Sequence, residues 1–248
     1  MYLYVAHWFF NLKDRNKMIR SLYRAIQKRF FYPFIYGKKD DYNAKKYWHD
    51  RFLKYGDSIL GPGNDAMTES RNLEMYSKAK TVFLETCRKE NIDFQKSRFC
   101  EIGLGTGFYT EILKEQNVKN YKGYDISDIV IPRMSKNFPD FSFHLKDISS
   151  EPLEDTFDVI LLIDVIQHIV NDQKCRFAME NIRDSLAPGG VFLIGPLAPR
   201  NVKRLFYVRA WTIDDLKKIF TGDRFRVSEP IKFRNGTLHS IRKLGNDS

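Results

Sequence analysis

Arg98-Phe99-Cys100-Glu101-Ile102-Gly103-Leu104-Gly105-Thr106-Gly107-Phe108-Tyr109-Thr110 is the stretch that decides how the chain is read. An apolar run, Phe99 to Ile102, enters three glycines at alternate positions, Gly103, Gly105 and Gly107. Phe108, Ile112 and Leu113 then recur at helical spacing, with Glu111, Lys114 and Glu115 on the other side. A strand, a glycine turn and a helix bring a ligand close to bare backbone at a helix N-terminus, where the glycines admit positive φ and leave no Cβ in the way. A tight bend with no ligand would read the same way, so the turn alone does not decide function. Its spacing does disfavour an NAD-dependent dehydrogenase. A dinucleotide fingerprint wants its third glycine three places after the second, and position 108 is Phe108.

Working outward, Tyr121 to Asp125 is a short strand ending in an acid twenty residues after Gly105. A carboxylate there can accept both hydrogen bonds of a ribose diol, which supports an adenosine cofactor without choosing which. The alternative is a helix N-cap, a role that Ser127 or Asp128 could fill instead. Phe141 to Ile148 alternates as a strand and ends in Asp147. Phe157 to Ile169 is the longest apolar run and suits a buried parallel strand, with Asp164, Gln167 and His168 at its carboxyl end. Helices are expected over 73–89, 177–186 and 211–220, and a strand follows Leu186-Ala-Pro-Gly-Gly190.

The ordered set Glu101-x-Gly-x-Gly-x-Gly107, Asp125, Lys146-Asp147-Ile148, Asp164 with His168, and Leu186-x-Pro-Gly-Gly190 resembles the class I S-adenosylmethionine (SAM) dependent methyltransferases from about residue 73 onward. The strand followed by Asp-Val-x-x-His is similar to the small-molecule and sugar O-methyltransferases. The resemblance implies a doubly wound, Rossmann-like α/β fold with a mostly parallel sheet and a closing C-terminal antiparallel hairpin over 225–244. It implies SAM as cofactor, held by Glu101, Gly103, Gly105, Thr106, Gly107, Asp125, Ile126, Asp147, Ile148 and Asp164. Asp147 and Ile148 would meet the adenine, while Glu101 and Asp164 would neutralise the ammonium and sulfonium region. His168 is the candidate general base for a hydroxyl acceptor, because its ordinary pKa suits the task. A histidine that shapes the site without moving protons is the alternative.

The first 46 residues read as a separate basic, aromatic extension. They hold eleven Lys and Arg against three Asp, a surplus of eight out of the chain's ten. Residues 11–31 read as an amphipathic helix that Pro33 ends. Such a helix can lie on an anionic membrane, dock a partner protein or simply pack on the domain; nucleic acid is the less favoured partner. The methyltransferase domain is expected over 47–248, with 47–72 either a lid in which Tyr47 and Arg71 meet substrate or a segment whose aromatics simply pack on the domain. Gln167 and Arg200 are further acceptor candidates, Arg200 in a loop over 196–207.

The composition, with 43% hydrophobic and 29% charged residues, is that of a globular chain. Three scattered cysteines give no disulfide framework, and no Asp, Glu or His cluster suggests a required metal ion. No apolar run approaches the ~20 residues of a membrane span. A cytoplasmic location is expected, peripheral at the inner face of a membrane if the basic helix docks there. The favoured activity is methyl transfer to a hydroxyl of a small molecule or glycan, such as a lipid-linked saccharide. An RNA or protein methyltransferase and an inactive SAM-binding partner subunit are the alternatives.

Overall fold

The computed structural model describes residues 26–38, 42–58, 61–62 and 68–245. Residues 11–25 of the expected basic helix lie outside these, as do parts of the expected lid.

The element that organises the interior is β4 (Phe157–Ile163), whose sequence FDVILLI has almost no polar face because both of its faces are covered. It pairs in parallel with β1 (Arg98–Ile102) on one side and β5 (Leu186–Leu197) on the other. Beyond β1 lie β2 (Asn120–Asp125) and β3 (Ser142–Leu145), also parallel. On the opposite edge β10 (Gly236–Lys243) runs antiparallel to β5, and pairs with β8 (Phe225–Val227) and β9 (Ile231–Phe233). The sheet order is β3-β2-β1-β4-β5-β10-β8, with β9 off the path. The order reverses between β1 and β4, and that switch point opens a crevice at the carboxyl ends of the strands. A separate two-stranded ribbon, β6 (Val202–Leu205) with β7 (Val208–Ala210), rises at that end. The doubly wound fold and the closing antiparallel strands are as the sequence implied.

Side-chain alternation along the strands divides the core into two layers. Phe99, Leu161 and Leu193 pack with Phe83, Leu113 and Met134 on one face, and Cys100, Ile160 and Phe192 with Met179 and Ile182 on the other. The first layer is covered by α3 (Glu69–Lys89), α4 (Phe108–Glu115) and α5 (Val130–Asn137), the second by α6 (Asp172–Ser185) and α7 (Ile213–Lys217). Helix α3 starts where the Thr68 hydroxyl accepts the Arg71 N–H, and it buries Asn72, Tyr76, Ala79, Phe83 and Cys87. Spacings of four, three, four and four hold these on one stripe. Leu73, the first residue of the expected helix, is exposed, and the buried stripe starts at Asn72.

Two short N-terminal helices, α1 (Tyr32–Tyr36) and α2 (Ala44–Tyr55), form a roof over the crevice. Pro33 does not end a helix. It sits in the first turn of α1, where a missing N–H costs nothing, and a π-helical turn, Gln27–Phe31, precedes it. The division drawn after residue 46 also fails as a boundary, because it cuts through the first turn of α2. Tyr36, Tyr42 and Tyr47 join Phe206 and Tyr207 of the β6–β7 turn in one aromatic cluster, with ring centroids 4.9–6.5 Å apart.

Candidate active site

The crevice holds a cavity of about 580 Å³ between the strand ends and the roof. Its floor begins at the glycine turn. Gly103, Gly105 and Gly107 all have positive φ, at 81°, 57° and 87°. At Gly103 the requirement is doubled, because a Cβ there would lie 2.2 Å from Val165 Cγ2. Side chains of Arg133 brace the turn: Nη2 donates to the Gly105 carbonyl at 2.6 Å, and Nη1 to Gly56 at the end of α2 at 2.9 Å. Nothing in the sequence marked Arg133, which sits on α5 well downstream of the motif it supports.

Asp125 lies at the end of β2, facing the turn. Its Oδ2 accepts the N–H groups of Leu104 (2.9 Å) and Gly105 (3.4 Å), and its Oδ1 that of Ser127 (2.8 Å). These three bonds fix the carboxylate and leave lone-pair capacity for a ligand hydroxyl. Burial nonetheless pushes its carboxyl up to about 6, against the pull of those backbone donors. Ile126, Lys146, Asp147 and Ile148 continue the lining, as does Thr106. Asp147 Oδ1 accepts from the Ser149 N–H and hydroxyl at 2.9 and 2.6 Å, which holds it at the loop after β3.

Glu101 is placed differently from the sequence expectation. It shares the face of Phe99, lies under α4 and is absent from the cavity lining. Its Oε2 accepts from the Tyr121 and Thr110 hydroxyls at 2.7 and 2.8 Å, while Oε1 has no hydrogen-bond partner among the described residues. Burial pushes its carboxyl up to about 7, beyond what those two hydroxyls pull down. Period-two alternation explains the difference: a residue one place from the cavity-lining Ile102 must face the other way.

Asp164 does line the cavity, in a left-handed conformation (φ 62°) at the end of β4. Its partner was not legible in the sequence. Arg234, in the β9–β10 turn, brings Nη2 to 2.6 Å from Asp164 Oδ2, and its guanidinium lies 4.2 Å from the Tyr76 ring centroid. Burial pushes the Asp164 carboxyl up against the pull of this guanidinium. Nε and Nη1 of Arg234 have no hydrogen-bond partner among the described residues, although only 7% of the side chain is exposed. Buried N–H groups without partners cost free energy and call for a ligand or a water.

His168 also borders the cavity, in a 3-10 turn, Ile166–His168, against Trp48 of the roof. Its Nδ1 is 3.0 Å from the Tyr207 carbonyl oxygen, which only accepts, so Nδ1 carries the proton and Nε2 keeps a lone pair. The Trp48 ring meets it edge-on at 4.8 Å. Burial lowers the imidazole to about 4, with a smaller contribution from the Arg51 charge and a hydrogen bond opposing. The ring is therefore neutral at physiological pH.

Four acceptor candidates fare less well. Tyr47 is 3% exposed inside the aromatic cluster, and its neighbour Trp48 lines the cavity instead. Arg71 is exposed on α3 and Arg200 is exposed beyond β5; neither borders the cavity. Gln167 turns back to donate to the Asp164 carbonyl at 2.8 Å and is not part of the lining. The roof lining is Tyr42, Trp48, Phe52 and Pro62, and Lys45 and Lys174 are exposed members of the same wall. Among the described residues no group of three or more His, Cys, Asp or Glu is arranged to hold a metal ion.

A family model described as a methyltransferase domain matches residues 70–221. A malonyl-[acyl-carrier protein] O-methyltransferase of Bacillus cereus is 27% identical over 209 residues, covering 73% of this chain and 76% of that protein. In fold, the chain is similar to a magnesium protoporphyrin IX methyltransferase from Synechocystis solved with bound SAM (TM-score 0.60, 14% identity, 81% of this chain and 97% of that one). It is likewise similar to the N-methyltransferase NodS from Bradyrhizobium japonicum, solved with S-adenosyl-L-homocysteine (TM-score 0.59, 19% identity, 81% and 98%). The cavity suits such a ligand chemically. It offers a bare glycine turn, a fixed carboxylate with spare acceptor capacity, and Asp164, which Arg234 holds from behind the lining.

Proposed function

The chain belongs to the class I SAM-dependent methyltransferases, and from that premise we propose that it methylates a hydroxyl oxygen of a small molecule or glycan admitted beside His168. Asp125 would hold the ribose diol, and Asp147 with the Ile148 N–H the adenine. Asp164 would take the ammonium of the amino-acid end, with Arg234 holding the Asp164 carboxylate in place. When bound, SAM supplies a methyl group on a positively charged sulfur, open to attack from the opposite side. The rest of the work belongs to the protein: holding the acceptor in line beneath Tyr42 and Trp48, and removing its proton.

The observation that carries the hydroxyl reading is the state of His168. It borders the same cavity as the glycine turn, its Nδ1–H is committed to Tyr207, and its Nε2 is left as a base that stays unprotonated at physiological pH. An alcohol is a poor nucleophile until its proton leaves, and Nε2 takes that proton. A ring with so low a pKa is a modest base, so its contribution is set at about 100-fold, the lower end for general bases. Lys45 and Lys174 favour an acceptor that also carries negative charge, as a sugar phosphate or a phosphate-linked lipid saccharide does.

The test is turnover, read as S-adenosyl-L-homocysteine release, over a panel of hydroxyl acceptors. His168→Gln should lower kcat about 100-fold while leaving affinity for S-adenosyl-L-homocysteine unchanged. The Bacillus cereus relative motivates a second reading, in which the acceptor is a carboxylate on a carrier-bound acid. A carboxylate is already ionised and needs no base. Undiminished turnover of such an acceptor by His168→Gln would decide for it and against the hydroxyl.

A further inference from the structure

We infer that the outward face of residues 26–38 is a docking surface for an anionic lipid bilayer. The segment is amphipathic in an inverted sense. Its inward side is Tyr32 and Tyr36, which meet edge-on at 5.5 Å, and Tyr36 stacks on Phe206 and donates its hydroxyl to Asp50 at 3.1 Å. These contacts fix the segment on the roof. Its outward side is apolar: Phe30 is 60% exposed, Phe31 60%, Phe34 76% and Ile35 52%. A contiguous apolar surface of this kind on a globular chain marks a contact site.

Charge selects the occupant. Arg29 is exposed on the same segment, and the Lys38 ammonium lies 4.4 Å from the Phe34 ring centroid, so a cation sits directly on the apolar face. Residues 1–25, which lead into it, carry Trp8, Phe9 and Phe10 with five Lys and Arg against one Asp. Aromatic side chains with cations among them match the boundary between acyl chains and anionic headgroups, where apolar burial and electrostatic attraction act together. A second copy of the chain would bring two such surpluses of positive charge face to face. Among the described residues no helix is long and apolar enough to cross a membrane.

Position gives the surface a consequence. Tyr36 stacks on Phe206, Phe206 meets Tyr207 edge-on and the Tyr207 ring lies parallel to His168, so rings in contact link the docked segment to the cavity. A lipid-linked acceptor could then reach His168 without leaving the membrane; this last step rests on the hydroxyl reading above, whereas the docking itself does not.

Flotation of the full chain with phosphatidylcholine vesicles, with and without phosphatidylglycerol, is the test. Binding is expected to the anionic vesicles, at least about tenfold weaker to neutral ones, and weakened by salt. The triple variant Phe30→Ser, Phe31→Ser, Phe34→Ser should lose about tenfold or more in vesicle binding, with affinity for S-adenosyl-L-homocysteine unchanged as proof of folding. Absence of wild-type binding, equal binding to neutral vesicles, or equal binding by the variant would each overturn the proposal. So would a wild-type dimer that the variant converts to monomer, which would assign the face to a second copy. Loss of turnover on hydroxyl acceptors with docking intact would sink the hydroxyl reading alone.

Discussion

Gly103, Gly105 and Gly107 shape the cavity floor with bare backbone, whereas Tyr36, Tyr42, Tyr47, Trp48 and Tyr207 shape its roof with rings. On the floor, position is set by covalent geometry and backbone hydrogen bonds: positive φ, the Asp125 carboxylate clamped by three N–H groups, Arg133 holding a carbonyl. In the roof, position is set by packing between segments far apart in the chain. The floor therefore tolerates almost no change of side chain and the roof tolerates change in proportion to volume. The floor suits a ligand of one fixed shape and, on the proposed reading, the roof suits the acceptor.

Substitutions can break this contrast. The largest effect is expected at Gly103→Ala, where a Cβ meets Val165 and the backbone stays left-handed: a loss of about 4 kcal/mol, read by denaturant unfolding. Pairing it with Val165→Ala should recover only the overlap and not the φ strain; full recovery would mean that the backbone conformation carries no cost. Next is Tyr47→Ala, which removes a ring buried among five others and should cost about 3 kcal/mol. That loss should appear as local opening of 26–58 in hydrogen exchange, with the sheet still protected. Uniform loss of protection would show that roof and floor unfold as one unit.

A smaller effect, about 2 kcal/mol, concerns pH. Glu101 in the folded chain titrates near 7, above its ordinary value of 4.5, so it binds a proton more tightly when folded. Its contribution to stability is complete below about 4.5 and is lost as pH rises through about 7. His168 has the opposite sign: its folded value near 4 lies below 6.5, so its contribution is complete above 6.5 and lost as pH falls through 4. Glu101→Gln should therefore flatten the fall in Tm between pH 5 and pH 8 and leave the acid-side fall in place. Parallel curves for the two proteins would contradict the burial argument.

The same contrast explains what the sequence revealed. The floor was legible because its parts are local: the glycines, the strand-end acids and His168 sit at spacings that strand and helix periods fix, and the structure gathers Asp125, Asp147, Asp164 and His168 on one cavity. Glu101 was misread by one step of a strand's alternation. The roof showed only as aromatic composition. Its contacts join residues 36 and 206 or 47 and 207, and no local pattern announces them. Tyr47 was expected to meet substrate, and Trp48 does the lining; Arg71 was expected inward, and Asn72 is buried. On a helix one residue is about 100°, so an error of one place turns a lining residue away. Arg234 reaches Asp164 from seventy residues downstream through a hairpin turn, beyond any spacing argument.

The central claim is that the donor is held by the floor and the acceptor by the roof. Calorimetric titration with S-adenosyl-L-homocysteine tests it, on wild type, Asp125→Ala, Asp125→Asn and Tyr47→Ala. The account predicts saturable binding to wild type, a loss of about 30-fold or more in Asp125→Ala, a smaller loss in the amide variant, and a change under about threefold in Tyr47→Ala. Wild-type affinity in Asp125→Ala, or an equal loss in Tyr47→Ala, would contradict it.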